Sequence, residues 1–263
     1  MKDITDTNQQ YKRWYACVYD KTFQETDDIE FLLKIIGSEP KNVLEVCCGT
    51  GRILVPLAKE GHYVTGFDID EYMMERIPGK TNGLKNINYF KADAIADDWG
   101  KNYDVVVLAC NIMMNIITEE NIKEPQKVFI EKAANALKIG GYVYMDFGLF
   151  EENEDDNKSE SPEWVIFEGY DDKGINGKFI MCAGSSYNKN TQMSYGNRRI
   201  ELFSGNGEKN AYEYSFNKRI PKLDETKKWL NENNFTIEQI YGNYNREPIN
   251  EKSKRVIIYA RKG

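Results

Sequence analysis

Histidine is nearly absent from this chain: His62 stands alone among 263 residues. Imidazole-based acid–base chemistry therefore has a single place to reside. That place opens the run "HYVTGFD", where a strand-entry position reads as structural. Cysteine is scarce and badly spaced for cross-links. The five thiols, Cys17, Cys47, Cys48, Cys110 and Cys182, are odd in number and include no CxxC pair. Cys47 and Cys48 are neighbours, so on a strand they point to opposite faces. The expectation is reduced thiols, no bound metal and a cytoplasmic protein. No apolar run comes near the ~20 residues that cross a bilayer, and the opening "MKDITDTNQQ" is too polar for a signal peptide or an anchor. A basic excess is missing as well. The net charge of -7 offers no field to draw in a phosphate backbone, so a small-molecule substrate is expected and nucleic acid is not. Nothing in the sequence decides the oligomeric state.

What the chain does have is alternation. "YKRWYACVYDKTF" sets Tyr11, Trp14, Tyr15 and Tyr19 at helical spacing on one aromatic face. A second helix is expected from Asp27, whose carboxylate caps free N–H groups, with Ile29, Leu32, Leu33 and Ile36 as its apolar stripe. Strands are then expected near 43–47, 62–67, 86–91, 103–109 and 141–147. Helices are expected near 51–60, 70–77 and 125–138, the last opened by Pro125 and closed by Gly140 and Gly141. Strand and helix in repetition mean an α/β fold, a doubly wound, Rossmann-like and mostly parallel sheet. Beyond Phe150 the polar "EENEDDNKSES" reads as a mobile linker. Four antiparallel strands follow it as a β insertion after the fifth strand, then a short helix near 223–232 and two last strands. The expected division is an N-terminal helical lid over 1-40, an α/β domain over 41-150 and 219-263, and an antiparallel insertion over 151-218.

The stretch "VLEVCCGTGR" carries the chemistry. A strand that breaks into two glycines brings bare N–H groups and a helix start up to a ligand. Dinucleotide-binding proteins show G-x-G-x-x-G at this turn. Here Gly49 and Gly51 are present, but Leu54 takes the third position. Glu45 precedes the glycines, where a carboxylate would repel a pyrophosphate and welcome a cation; a nicotinamide cofactor is set aside on both counts. Asp68 ends the next strand, where an acid can accept hydrogen bonds from ribose hydroxyls. Asp93 ends the one after, where a carboxylate can meet an adenine amino group.

With "VTGFDIDEYMMERI", "YFKADAIADDW", "YDVVVLACNIMMNI" and "LKIGGYVYMDF", this pattern resembles the class I S-adenosylmethionine-dependent methyltransferases. The resemblance runs from about Tyr15 to Phe147, and the terminal strand pair fits the reversed last strand of that fold. It implies that S-adenosylmethionine is the cofactor, with S-adenosylhomocysteine as product and no metal. It further implies that Glu45, Cys48, Gly49, Gly51 and Arg52 lie beside the methionine part. Asp68 and Ile69 would hold the ribose and adenine, Asp93 and Ala94 the adenine edge, and Ala109, Cys110 and Asn111 the floor near the sulfonium. Methyl transfer from a sulfonium needs no protein nucleophile, and positioning alone can contribute on the order of 7–11 kcal/mol.

The layout is closest to small-molecule methyltransferases, including those acting on glycine-like amines and aminodeoxysugars, which carry an "AxxYD" element matched here by Ala16, Tyr19 and Asp20. The expected acceptor is a small amine, with O-methylation close behind. Some sugar-amine enzymes carry a histidine just after the fourth strand, where this chain has Asn115. Tyr15, Tyr19, Asn111 and Asn115 are the candidates for positioning the acceptor. Tyr11, Trp14 and Arg198 are the candidates for binding it, although an aromatic helix face packed on the domain and a solvated arginine strand are equally readable there. A nucleoside-binding sensor without transfer activity, or an RNA or protein methyltransferase, are the other readings.

Overall fold

A computed structural model describes residues 4–116, 124–149, 162–205 and 207–263. The polar run 151–161, read as a linker, lies outside the described residues. Two compact units emerge. The larger comprises Glu25–Glu151 and Ile220–Gly263, the smaller Met1–Gln24 and Glu152–Arg219.

The larger unit contains α2 (Asp27–Ile36; α1 belongs to the smaller unit and is Ile4–Thr22), β1 (Asn42–Val46), α3 (Leu54–Lys59), β2 (Tyr63–Asp68) and α4 (Glu71–Met74). It continues through β3 (Ile87–Lys91), β4 (Tyr103–Leu108), α5 (Ile112–Asn115), α6 (Pro125–Ala136) and β5 (Leu137–Gly148). After the smaller unit's β6 (Trp164–Tyr170), β7 (Asn176–Met181), β8 (Ser186–Asn188), β9 (Met193–Phe203) and β10 (Lys209–Arg219), the chain returns with α7 (Leu223–Glu232), β11 (Phe235–Tyr241) and β12 (Arg255–Lys262).

Seven strands of the larger unit hydrogen-bond in the order β11-β12-β5-β4-β1-β2-β3. Only β12 runs against its neighbours. The topology reverses between β1 and β4, so the crevice at their carboxyl ends is the place where an open α/β sheet holds a ligand. Both faces are covered, which explains the unbroken apolar run of β4. Val105 and Val107 join Leu32, Leu54 and Leu57 on one side, and Val106 and Leu108 join Phe129, Ile130 and Leu230 on the other. Fully burying each such side chain contributes ~1.5–3 kcal/mol.

Three sequence expectations shift. Helix α6 ends at Ala136, two residues early, because β5 already starts at Leu137; Gly140, with φ +79°, sits inside that strand rather than capping the helix. A register irregularity between Tyr103 and Val105 marks the bulge it makes. Helix α2 does begin at Asp27, but its cap is Thr26, without a side-chain cap bond. The expected 1-40 segment also divides. Ile29, Phe31, Leu32 and Ile36 of α2 are buried with Val43 and Leu57 in the larger unit, while α1 packs in the smaller one.

In the smaller unit the strands run β10-β9-β7-β6, with β8 on β9. Helix α1 lays its aromatic face on this sheet: Tyr11 stacks on Tyr212 at 5.6 Å, and Trp14 on Phe167 at 6.0 Å. Trp14 Nε1 donates to the Gly169 carbonyl at 3.3 Å. Gly177 is where the strand yields to the indole, since a Cβ there would stand 2.5 Å from Trp14 Cε2.

Candidate active site

The turn after β1 is strained in a consistent way. Cys47, Gly49 and Gly51 have φ of 58°, 52° and 75°, and at the end of β4 Cys110 and Asn111 have φ of 56° and 61°. Three non-glycine residues in the left-handed region at two adjacent strand ends are costly, and such strain clusters at working sites. At Gly51 a side chain would also press on Ile77 at 3.0 Å and Val55 at 3.3 Å.

Asp68 pins this turn. Its Oδ2 accepts from the Gly49 N–H at 2.8 Å and its Oδ1 from the Asp70 N–H at 2.8 Å. Burial raises its pKa, opposed by those N–H groups. Ile69, beside it, is 59% exposed, an apolar face open to a ring. Asp93 spends one oxygen on its own turn: Oδ1 accepts from Ile95 N–H at 2.7 Å and Ala96 N–H at 3.1 Å. Ala94 is buried next to it, its carbonyl held by Trp99 Nε1 at 2.9 Å.

Glu45 is 5% exposed, and its carboxyl is pushed up to about 8, chiefly by burial. Its Oε2 is buried without a partner among the described residues. Arg52 leans across the turn. Its Nη1 donates to Asp28 Oδ1 at 2.9 Å and to the Glu25 carbonyl at 3.0 Å, and its Nη2 contacts Asp28 Oδ2 and Cys110 Sγ. Glu45, Asp68 and Asp93 stand at the carboxyl ends of β1, β2 and β3, which are neighbours in the sheet. Burial, and after it the charges of these three carboxylates, raises the pKa of the Cys47 thiol.

Asn111 and Asn115 are drawn inward. Asn111 Oδ1 accepts from the Gly148 N–H at 2.8 Å and its carbonyl from Asn115 Nδ2 at 3.1 Å, so both asparagines tie the end of β4 to β5 and α5. Ala109 is buried and Cys110 exposed above them. The smaller unit corrects two substrate-binding expectations: Tyr11 is 4% exposed and Trp14 fully buried, their rings covered by Tyr212 and Phe167, so both are packing residues. Tyr15 and Tyr19 are half-buried; Tyr15 meets the edge of Phe179 at 5.0 Å and Tyr19 leans on Phe23 at 4.6 Å. Arg198 lies over Phe216 at 4.7 Å and Phe179 at 5.7 Å.

Sequence reasoning missed a polar group on the same sheet face as Glu45. Asp146, 1% exposed, pairs with Arg255 and accepts from the Tyr244 hydroxyl at 2.6 Å. The Tyr144 hydroxyl is buried without a partner among the described residues. Asp28 was also missed, hidden among the acids that open any helix. Two cavities, of about 420 Å³ near Tyr195 and Phe216 and about 320 Å³ near Trp99 and Lys132, include none of the three carboxylates. We place the site by charge and strain, because the rim at Ile69 and Cys110 is an open sheet end rather than an enclosed hollow. No group of three or more His, Cys, Asp or Glu among the described residues is disposed to hold a metal. No helix among them is long and apolar enough to cross a membrane.

Residues 43–141 match the family described as a methyltransferase domain. Over these residues the chain is similar to methyltransferase domains, and its fold is that of the S-adenosylmethionine-dependent methyltransferases. A candidate methyltransferase of Geobacillus sp. (strain WCH70) is 24% identical, covering 94% of this chain and 98% of its own. A ubiquinone biosynthesis O-methyltransferase of Hydrogenovibrio crunogenus is 33% identical, but covers only 44% of this chain and 46% of its own. The fold is shared along nearly the whole chain with the CcbJ methyltransferase of Streptomyces caelestis, at TM-score 0.71 and 18% identity over 96% of this chain and 98% of that one. This fold therefore comes with a second sheet that has structural counterparts.

Proposed function

We propose that this protein moves a methyl group from S-adenosylmethionine to a small-molecule amine. The observation that carries the donor half is the placing of Glu45, Asp68 and Asp93 at the carboxyl ends of the neighbouring strands β1, β2 and β3, with Asp68 bonded to the Gly49 N–H of the strained turn. A buried acceptor oxygen on Glu45 and the charge of Arg52, seven residues on at the far side of the same turn, suit a zwitterionic nucleoside. The donor, when bound, supplies an already activated methyl carbon. This chain's part is to hold: Asp68 orients the ribose, Ile69 covers the adenine, Glu45 and Arg52 receive the amino-acid end, and Cys110 and Asn111 floor the transfer point.

Acceptor selection is assigned to the smaller unit's half-buried residues Tyr15, Tyr19 and Arg198. Arginine over aromatic rings, with the Lys218 ammonium 5.6 Å from the Phe216 ring and lowered to about 8 by burial and by Arg198, favours an acceptor with an anionic group besides its amine. Known names leave nitrogen and oxygen both open, since an amino pentose methyltransferase of Micromonospora echinaspora and the O-methyltransferase above are both similar to this chain. The net charge of -7 supports a small acceptor over RNA.

The test is direct. Purified protein is given S-adenosylmethionine and a panel of small amines and alcohols, and S-adenosylhomocysteine is measured; turnover with an amine is expected. Asp68→Ala is expected to weaken S-adenosylhomocysteine binding by roughly tenfold or more, as loss of charge-assisted hydrogen bonds does. Tight nucleoside binding with no acceptor turned over would favour a sensor. No binding at all would remove the donor assignment.

A further inference from the structure

Glu45 presents a problem of charge. It stands mid-sheet between Gly66 and Val107 on the neighbouring strands. Its carboxylate takes one hydrogen bond, from the Leu54 N–H, and Oε2 has none among the described residues. The cation acting on it, Arg52, is turned elsewhere: both Nη atoms fork onto Asp28, and they also reach the Glu25 carbonyl and Cys110 Sγ. Among the described residues, the other titratable groups acting on Glu45 are acidic. Asp68 comes from β2, Asp28 from α2, Cys47 and Cys48 from the turn, and Cys110 from the end of β4.

We propose that Glu45 is protonated while the donor is absent and exchanges that proton for the primary ammonium of the incoming nucleoside, with Asp28 as the positioning residue that keeps Arg52 from neutralising it first. The inference rests on the donor assignment above. The carboxyl O–H bond breaks, the proton leaves to buffer, and an ammonium N–H···O hydrogen bond to Oε2 takes its place. Burial, the dominant cause, pushes the Glu45 carboxyl up to about 8, against the smaller pull of Arg52. The site therefore recognises an amino-bearing nucleoside by a reaction that a nucleoside without the amine cannot perform.

Calorimetric titration with S-adenosylhomocysteine at pH 6.5, in two buffers of different ionisation enthalpy, reads the exchange. Wild type is expected to release about one proton, with affinity rising close to tenfold per pH unit between about pH 6 and 7.5 by linkage. Methylthioadenosine, which keeps the adenine amino group but lacks the aliphatic ammonium of the amino-acid chain, is expected to bind without proton release. Glu45→Gln is expected to bind S-adenosylhomocysteine more weakly and release none. Asp28→Asn frees Arg52 to ionise Glu45 in advance, so its release is expected to fall well below wild type, and Asp28→Glu is expected to restore it. Wild type that binds S-adenosylhomocysteine with no proton release overturns the inference and leaves the donor site standing. Undiminished release in Asp28→Asn overturns the role given to Asp28. If wild type does not bind S-adenosylhomocysteine at all, it is the donor assignment that has failed.

Discussion

The two sheets of this chain bury different chemistry. The larger is lined on both faces mainly by apolar side chains, and at the ends of β1 and β2 it buries two carboxylates, Glu45 and Asp68, for which no salt bridge is seen among the described residues, beside one that is paired, Asp146 with Arg255. The smaller is held on one face by rings: Tyr11, Trp14, Phe167 and Phe179 interlock beneath α1. Its buried charges are paired instead, Arg199 lying between Glu163 and Glu201. Where an acid is buried with an oxygen left unbonded among the described residues, as Glu45 is, the proposed donor supplies the partner. Where charges are paired and aromatics interlock, the residues are explained by packing, and function there rests on the few that do not fit, such as Arg198.

The sharpest break of this contrast is Trp14→Ala. Removing a fully buried indole costs ~3–5 kcal/mol, and the expected result is loss of the aromatic near-UV circular dichroism of the smaller unit at lower temperature, with affinity for S-adenosylhomocysteine unchanged. Glu45→Gln comes next and is a pH experiment. The folded carboxyl keeps its proton to about 8, whereas the unfolded one loses it near the ordinary 4.5, so the folded state holds the extra proton across that window. Wild-type stability from this group therefore falls as pH rises from about 4.5 to about 8. The glutamine variant is expected to gain most over wild type in thermal midpoint at pH 8 and least at pH 4.5. Smaller still, Tyr144→Phe removes a buried hydroxyl without a partner. The protein is expected to hold its thermal midpoint or gain up to ~1–3 kcal/mol, where a well-bonded tyrosine would lose stability. The smallest effect is expected from Arg199→Ala. Two of its partners, Glu163 and Glu213, are exposed, and Glu201 keeps Lys209, so urea titration should show about 1 kcal/mol or less, shrinking with salt.

The legible parts of the fold were those with one physical cause. An apolar run such as "YDVVVLAC" reads as a strand covered on both faces, and two glycines after Glu45 read as a tight turn, which the positive φ of Gly49 and Gly51 bears out. Gly140 misled because glycine ends helices and bulges strands alike, and the local sequence does not say which. Tyr11 and Trp14 misled for a related reason: an aromatic helix face suits a substrate and a sheet equally until the facing rings are known. Asp28 was invisible because its meaning lies in Arg52, twenty-four residues on, and acids at a helix start are ordinary. The Asp146, Tyr244 and Arg255 group joins residues up to 109 apart, a separation that no periodicity reports.

The donor crevice itself is best tested by amide hydrogen exchange of the full chain with and without S-adenosylhomocysteine. Protection is expected at Cys48 to Gly51, at Asp68 to Asp70 and at Ala92 to Ile95, the backbone around the three carboxylates. Binding that protects other segments and leaves these unchanged would contradict the site described for this protein.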